Sequence, residues 1–213
     1  IFYLGKCFRD QESFGATHNP EFTMIEWYRT NADMFDLMMD VEKMFKYVCR
    51  RAKFCTQPLR QNGMKVERVS MRNLWLKHVG VDLDDYLDEK TMLKLCRERG
   101  YKAKASESYE ELFYRIFLNE IEPKLGARNP LIVYNYPARM ASLAKLSTNK
   151  KYAERFEIYY KGLELANAFS ELTDAREQER RLKQEMNQRK KEGKNVFDID
   201  QEFIGALKVG LPR

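Results

Sequence analysis

The sequence predicts an α+β fold, an antiparallel β-sheet flanked by helices and interrupted by a helical insertion. Three observations carry that expectation. Residues 1–9 and 22–28 are aromatic and β-branched runs joined by a polar loop with Gly15, Asn19 and Pro20, the punctuation of an antiparallel connection. Residues 131–137 and 155–171 form a second strand-rich region that turns near Lys161-Gly162. Between and beyond these runs, apolar residues recur at three- and four-residue spacing, the period of helices that bury one face.

Taken in order, the first run (Ile1, Phe2, Tyr3, Leu4, Phe8) and the second (Phe22, Thr23, Ile25, Trp27, Tyr28) make a hairpin. Alternation places Phe22, Met24, Glu26 and Tyr28 on one face of its second strand. Pattern alone leaves open an ordinary hairpin with a solvated loop. Asp33 to about Lys53 carries Met34, Leu37, Met38, Val41, Met44, Phe45 and Val48, an amphipathic helix whose N-cap is Asn31 or Asp33. The methionines read as core filler.

Thr56–Lys65 is a turn-rich connection, and Val66–Leu76 holds a strand and then a helix start with Trp75 buried. His78 reads as a surface or structural histidine. Asp82–Gly100 reads as short helices, the second (Glu89–Arg99) ending on Gly100. Ser108–Lys124 is a strong amphipathic helix closed near Pro123, and Leu131–Pro137 a buried strand ending at proline. A long charged helix follows from Asp174 to Glu192, stopped by Gly193, and a short one from Asp200 to Val209. The chain thus divides into residues 1–55, a mostly helical insertion at 56–128, and residues 129–213.

At 213 residues, 44% hydrophobic and 33% charged, the chain has material for one sizeable core, or a domain with an inserted subdomain. No apolar run approaches the roughly 20 residues of a membrane span, and residues 1–9 lack a signal-peptide pattern. Cys7, Cys49, Cys55 and Cys96 form no C-x-x-C pair, and His18 and His78 complete no zinc set. Reduced thiols in a cytoplasmic protein are expected. A net charge of +6 suits an anionic partner but is too modest to demonstrate nucleic-acid binding.

Two long strings narrow the reading. Phe8-Arg9-Asp10-Gln11-Glu12, followed by His18-Asn19-Pro20-Glu21-Phe22-Thr23-Met24-Ile25-Glu26-Trp27-Tyr28-Arg29, resembles motif 2 of class II aminoacyl-tRNA synthetases in the lysine branch. Arg155-Phe156-Glu157-Ile158-Tyr159-Tyr160-Lys161-Gly162-Leu163-Glu164-Leu165-Ala166-Asn167-Ala168-Phe169-Ser170-Glu171 resembles the strand pair that precedes motif 3 there. Ala141-Ser142-Leu143-Ala144 and Leu172-Thr173-Asp174-Ala175-Arg176-Glu177-Gln178 are similar to elongation factor P lysine ligases, which share that fold. The resemblance implies a class II type of antiparallel sheet, and a fragment, with motif 1 and part of the lysine pocket before Ile1 and motif 3 after Arg213.

The resemblance implies ATP-dependent activation of lysine or β-lysine as the aminoacyl adenylate, with Mg²⁺. Arg9 would be the catalytic residue, gripping the α-phosphate. Gln11 or Glu12 would fill the family's glutamate position in the loop, which is one residue longer than usual. His18, Asn19, Phe22, Glu164 and Leu165 complete the implied ATP site. Glu26, Tyr28, Asn167, Phe169 and Glu171 would form the amino-acid pocket, and Glu157 and Glu164 would hold the metal. By pattern alone those last two read as exposed strand carboxylates, and Glu164, of opposite parity to Asn167, needs a bulge to share its face or else uses the strand's other side.

Three functions fit these residues. The first is a ligase that adenylates lysine and transfers it to a lysine of elongation factor P, homodimeric when full length. The second is a lysyl-tRNA synthetase charging tRNA-Lys. The third is a synthetase-derived binding protein without catalysis.

Overall fold

The computed structural model describes residues 1–9, 19–51, 65–191 and 193–210. It divides into two compact units, one built on Ile1–Ala32 and the other on Asp33–Leu211. In the first, β1 (Phe2–Phe8) and β2 (Glu21–Trp27) form the expected antiparallel hairpin. Tyr3 pairs with Glu26, Gly5 with Met24 and Cys7 with Phe22, so Phe22, Met24 and Glu26 share a face.

The second unit opens with α1 (Met34–Arg51). Asp33 is its cap, because Asp33 Oδ1 accepts from the backbone N–H groups of Phe35 at 2.8 Å and Asp36 at 3.1 Å. Its apolar stripe buries Met34, Met38 and Val41. The helix belongs with the second unit, which begins at Asp33.

A four-stranded sheet runs in the order β3 (Glu67–Ser70), β4 (Leu131–Pro137), β5 (Tyr152–Tyr160), β6 (Leu163–Phe169). The expectation of a wholly antiparallel sheet needs correcting. β4–β5 and β5–β6 are antiparallel, but β3 runs parallel to β4. Parallel neighbours require a long crossover, and the helical insertion is that crossover. The β5–β6 turn places Lys161 and Gly162 at φ 54° and 75°, the left-handed pair that matches the twist of a tight hairpin.

The insertion contains α2 (Met71–His78), α3 (Glu89–Glu98) and α4 (Tyr109–Ile116). Their N-caps are Ser70, Asp88 and Ser108, the last in a reciprocal box with Glu111. The α-helix predicted through Lys124 ends early. Phe117–Ile121 is a π turn and Glu122–Lys124 a 3₁₀ turn, because the Pro123 ring crowds the carbonyl four residues back and donates no hydrogen bond.

These helices cover one face of the sheet. Trp75 meets Phe113 at 5.1 Å, Phe113 stacks on Phe117 at 5.6 Å, and Phe117 reaches Tyr159 at 6.4 Å. Val133 and Tyr136 belong to the same buried cluster. The other face carries Phe156, paired with Tyr134, and Phe35 of α1 meets Tyr134 edge-on at 6.1 Å. Two final helices, α5 (Ala175–Lys191) and α6 (Gln201–Val209), follow caps at Asp174 and Asp200. Among the described residues, no helix is long and apolar enough to cross a membrane.

Polar contacts fasten the insertion to β5. Asp84 accepts from the Tyr152 hydroxyl at 2.5 Å and Lys151 Nζ at 2.8 Å, and within the insertion Arg72 grips the neighbouring Asp82 in a two-point contact at 2.7 and 2.6 Å. Arg72 holds the Asp82 carboxyl down at about 2, from 3.8. Lys151 and Tyr152 hold Asp84 below the ordinary range.

Phe113→Ala should destabilise the protein by about 3–5 kcal/mol through the cavity it leaves, read by urea unfolding. Because the folded pKa values of Asp82 and Asp84 lie below their unfolded values, their stabilisation is present above pH 3.8 and fades toward about 2. Tyr152→Phe with Asp82→Asn should therefore flatten the fall of melting temperature across that acid window. An unchanged acid limb would remove the assignment.

Candidate active site

In the hairpin unit, the backbone N–H of Arg9 donates to Pro20 O at 2.8 Å and closes the base of the loop. Arg9 lies two residues beyond Cys7, on the Phe22 side, and its guanidinium sits 5.5 Å from the Phe22 ring centroid. The Tyr28 hydroxyl donates to Glu26 Oε1 at 2.9 Å. A guanidinium, an aromatic ring and a phenol–carboxylate pair thus line one side of this hairpin. Asn19 is exposed at the loop's end. Gln11, Glu12 and His18 lie outside the described residues.

In the sheet unit, two irregularities set the geometry. Ile158 pairs with Ala166 but Tyr159 pairs with Glu164, so Leu165 is an extra residue in β6. This bulge turns Glu164 onto the face of Glu157 and Asn167, which pair with each other. Asn167 Nδ2 accordingly lies 3.4 Å from Glu164 Oε1. The same face carries Phe169, opposite Arg155. A second slip, between Tyr134 and Tyr136, coincides with Asn135 at φ 62°. It brings Tyr136 into the cluster that holds Val133 and Tyr159.

Glu157 is only 2% exposed, not a solvated strand carboxylate. Its Oε2 accepts from the hydroxyls of Tyr136 and Tyr159, each at 2.5 Å. Its Oε1 accepts from the Arg155 guanidinium at 2.6 Å. Arg155 also donates to Met140 O at 3.1 Å and lies 4.9 Å from the Tyr136 ring centroid. Burial pulls the Arg155 pKa down, but Glu157 with Tyr114 and Tyr136 outweighs it and leaves the guanidinium above its ordinary value. Burial, then the charge of Glu157, raises the Tyr136 and Tyr159 phenols, which stay protonated as donors.

Glu164 and Leu165 are exposed, Phe169 and Glu171 half-buried. Glu171 is fixed by backbone pairing with Ala144, flanked by Lys145 N–H to Ser170 O at 2.8 Å and Leu172 N–H to Leu143 O at 3.0 Å. Arg181 of α5 donates to the carbonyls of Ser142 and Ala144 at 2.9 and 2.8 Å, holding this strap from behind. The insertion adds Tyr114 and Glu122. Burial raises both groups, Glu157 adding to the shift at Tyr114, and Glu164 then Glu157 at Glu122. Among the described residues, no three acidic, histidine or cysteine side chains form a metal-holding group.

Sequence reasoning missed Arg155, Tyr136, Tyr159, Tyr114 and Glu122. The alternation of Arg155, Glu157 and Tyr159 along one strand was a readable signal for two of them. Tyr136 depends on the slip at Asn135, and Tyr114 and Glu122 arrive from the insertion.

Arg155→Ala leaves the buried carboxylate of Glu157 without its cation and should cost about 3–5 kcal/mol in urea unfolding. Adding Glu157→Gln should recover much of that loss, because the two groups act as a pair. Additive losses would show that they are independent.

Residues 1–213 match the family described as tRNA synthetases class II (D, K and N). Two curated relatives, the elongation factor P--(R)-beta-lysine ligases of Histophilus somni strains 2336 and 129Pt, are each 40% identical over 216 residues, covering 100% of this chain. The chain spans 62% of the length of each of these relatives.

Proposed function

The chain belongs to the class II tRNA synthetases of the aspartate, lysine and asparagine type, and from that premise we propose that it is the core of an ATP-dependent, AMP-forming ligase. Its substrate is lysine or β-lysine and its acceptor a lysine of elongation factor P. The observation that carries the reading is the β6 bulge. It gathers Glu157, Glu164, Asn167 and Phe169 on one sheet face, beside a Glu171 held by the Ala141–Lys145 strap. The relatives' names supply the substrate class.

In this reading Arg9 grips the α-phosphate of ATP, since its planar fork matches phosphate oxygens and stays protonated. Phe22 stacks on the adenine, and Gln11, Glu12, His18, Asn19 and Leu165 complete the nucleotide site. Glu26, Tyr28, Asn167, Phe169 and Glu171 receive the amino acid, whose ammonium groups suit carboxylates framed by aromatic rings. A carboxylate oxygen of the amino acid attacks the α-phosphorus and pyrophosphate leaves. The acceptor amine then attacks the acyl carbon, AMP leaves, and the amine sheds a proton. Orientation and charge neutralisation supply most of the barrier reduction.

The donor set fits Mg²⁺. Glu164 is an exposed hard-oxygen ligand, and Glu157 Oε1 carries one hydrogen bond where a carboxylate oxygen has room for two. Small cations of this kind complete their shell with phosphates and water rather than a protein cage. The bound cation would neutralise phosphate charge. The working protein is a cytoplasmic homodimer in this proposal.

ATP–pyrophosphate exchange by the full-length protein, with lysine and with β-lysine, tests the activation step. Glu171→Ala should abolish amino-acid-dependent exchange, and full activity in that variant would remove the pocket assignment. Elongation factor P and tRNA-Lys offered side by side test the acceptor. Charging of tRNA-Lys alone would make the protein a lysyl-tRNA synthetase.

A further inference from the structure

We propose that Tyr136 and Tyr159 are positioning residues acting through Glu157: together they occupy Oε2, so that Oε1 is the one oxygen the carboxylate presents to a divalent cation. This rests on the functional reading above and deepens it. Each carboxylate oxygen has two lone pairs. The two phenols use both of those on Oε2, at 2.5 Å each, whereas Arg155 uses one on Oε1 at 2.6 Å. Glu157 is 2% exposed and both tyrosines are buried to about the same degree, at 0% and 1%. The carboxylate therefore has no solvent to rotate into, and its roll about the final bond is set by its three donors.

The arrangement has a structural origin. Tyr159 lies two residues along the same strand face as Glu157, but Tyr136 reaches Oε2 only through the register slip at Asn135. Arg155 closes the third side, tied to Met140 O and to the face of the Tyr136 ring. Partners that orient a ligating carboxylate typically govern metal affinity by about 10–100-fold. Neither hydroxyl touches substrate in this scheme. Their effect is carried entirely by the orientation of Glu157.

The test uses Tyr136→Phe, Tyr159→Phe and the double variant of the full-length protein, with Tyr101→Phe as a control. Tyr101 also donates to a carboxylate, Glu120, but on the insertion. Calorimetry measures the affinity of a non-cleavable ATP analogue with and without Mg²⁺. The expected result is a Mg²⁺-dependent gain in affinity about tenfold smaller in each tyrosine variant. Metal-free affinity and the control stay at wild-type values. Variants that retain the full Mg²⁺-dependent gain, whatever their melting temperature, overturn the proposal, as does a wild-type protein with no such gain. A wild-type protein that shows the gain but exchanges no pyrophosphate with either lysine overturns the functional reading instead. The tyrosine variants still decide this one.

Discussion

A carboxylate taken out of water needs partners for its charge and its lone pairs, and Glu157 is where this fold meets that demand. An unpaired buried charge is strongly destabilising, whereas a fully hydrogen-bonded one is tolerated and orders its neighbours. Glu157 has Arg155 for its charge and Tyr136 and Tyr159 for its second oxygen. Because those donors come from β4 and β5, the carboxylate fixes the register of the two central strands. Glu164, Asn167 and Phe169 are then placed by β6 pairing on β5.

Both departures from ideal strand geometry serve that centre. The slip at Asn135 delivers a tyrosine to Glu157, and the extra residue at Leu165 delivers Glu164 to its face. Without the second, alternation would leave Glu164 on the α1 side of the sheet. Bulges commonly re-aim side chains beside functional sites, and here they convert a regular hairpin into a one-sided acidic and aromatic surface.

The insertion is equally tied to this sheet. It is the crossover that lets β3 lie parallel to β4, and its aromatic core of Trp75, Phe113 and Phe117 ends on Tyr159. Covering this part of the sheet leaves Glu157 only 2% exposed. It also brings Tyr114 and Glu122 within electrostatic reach of Glu157. The Ala141–Lys145 strap, backed by Arg181, does for Glu171 through backbone pairing what the tyrosines do for Glu157.

By itself the sequence determined the local elements and the family they belong to. Apolar spacing marked the helices. Asp33, one of two candidate caps, starts α1, Lys161-Gly162 turned the hairpin, and two long strings pointed to the class II synthetase family. These are properties of neighbours in the chain, where propensity and pattern act directly. Tertiary structure alone decided that one strand pair is parallel, that Pro123 unwinds the insertion's last helix, and that Glu157 is buried. It also decided that Tyr136 and Glu164 change faces. Each of those outcomes depends on what lies across a strand or under a helix, and contacts between residues distant in the chain leave no period in the sequence to read.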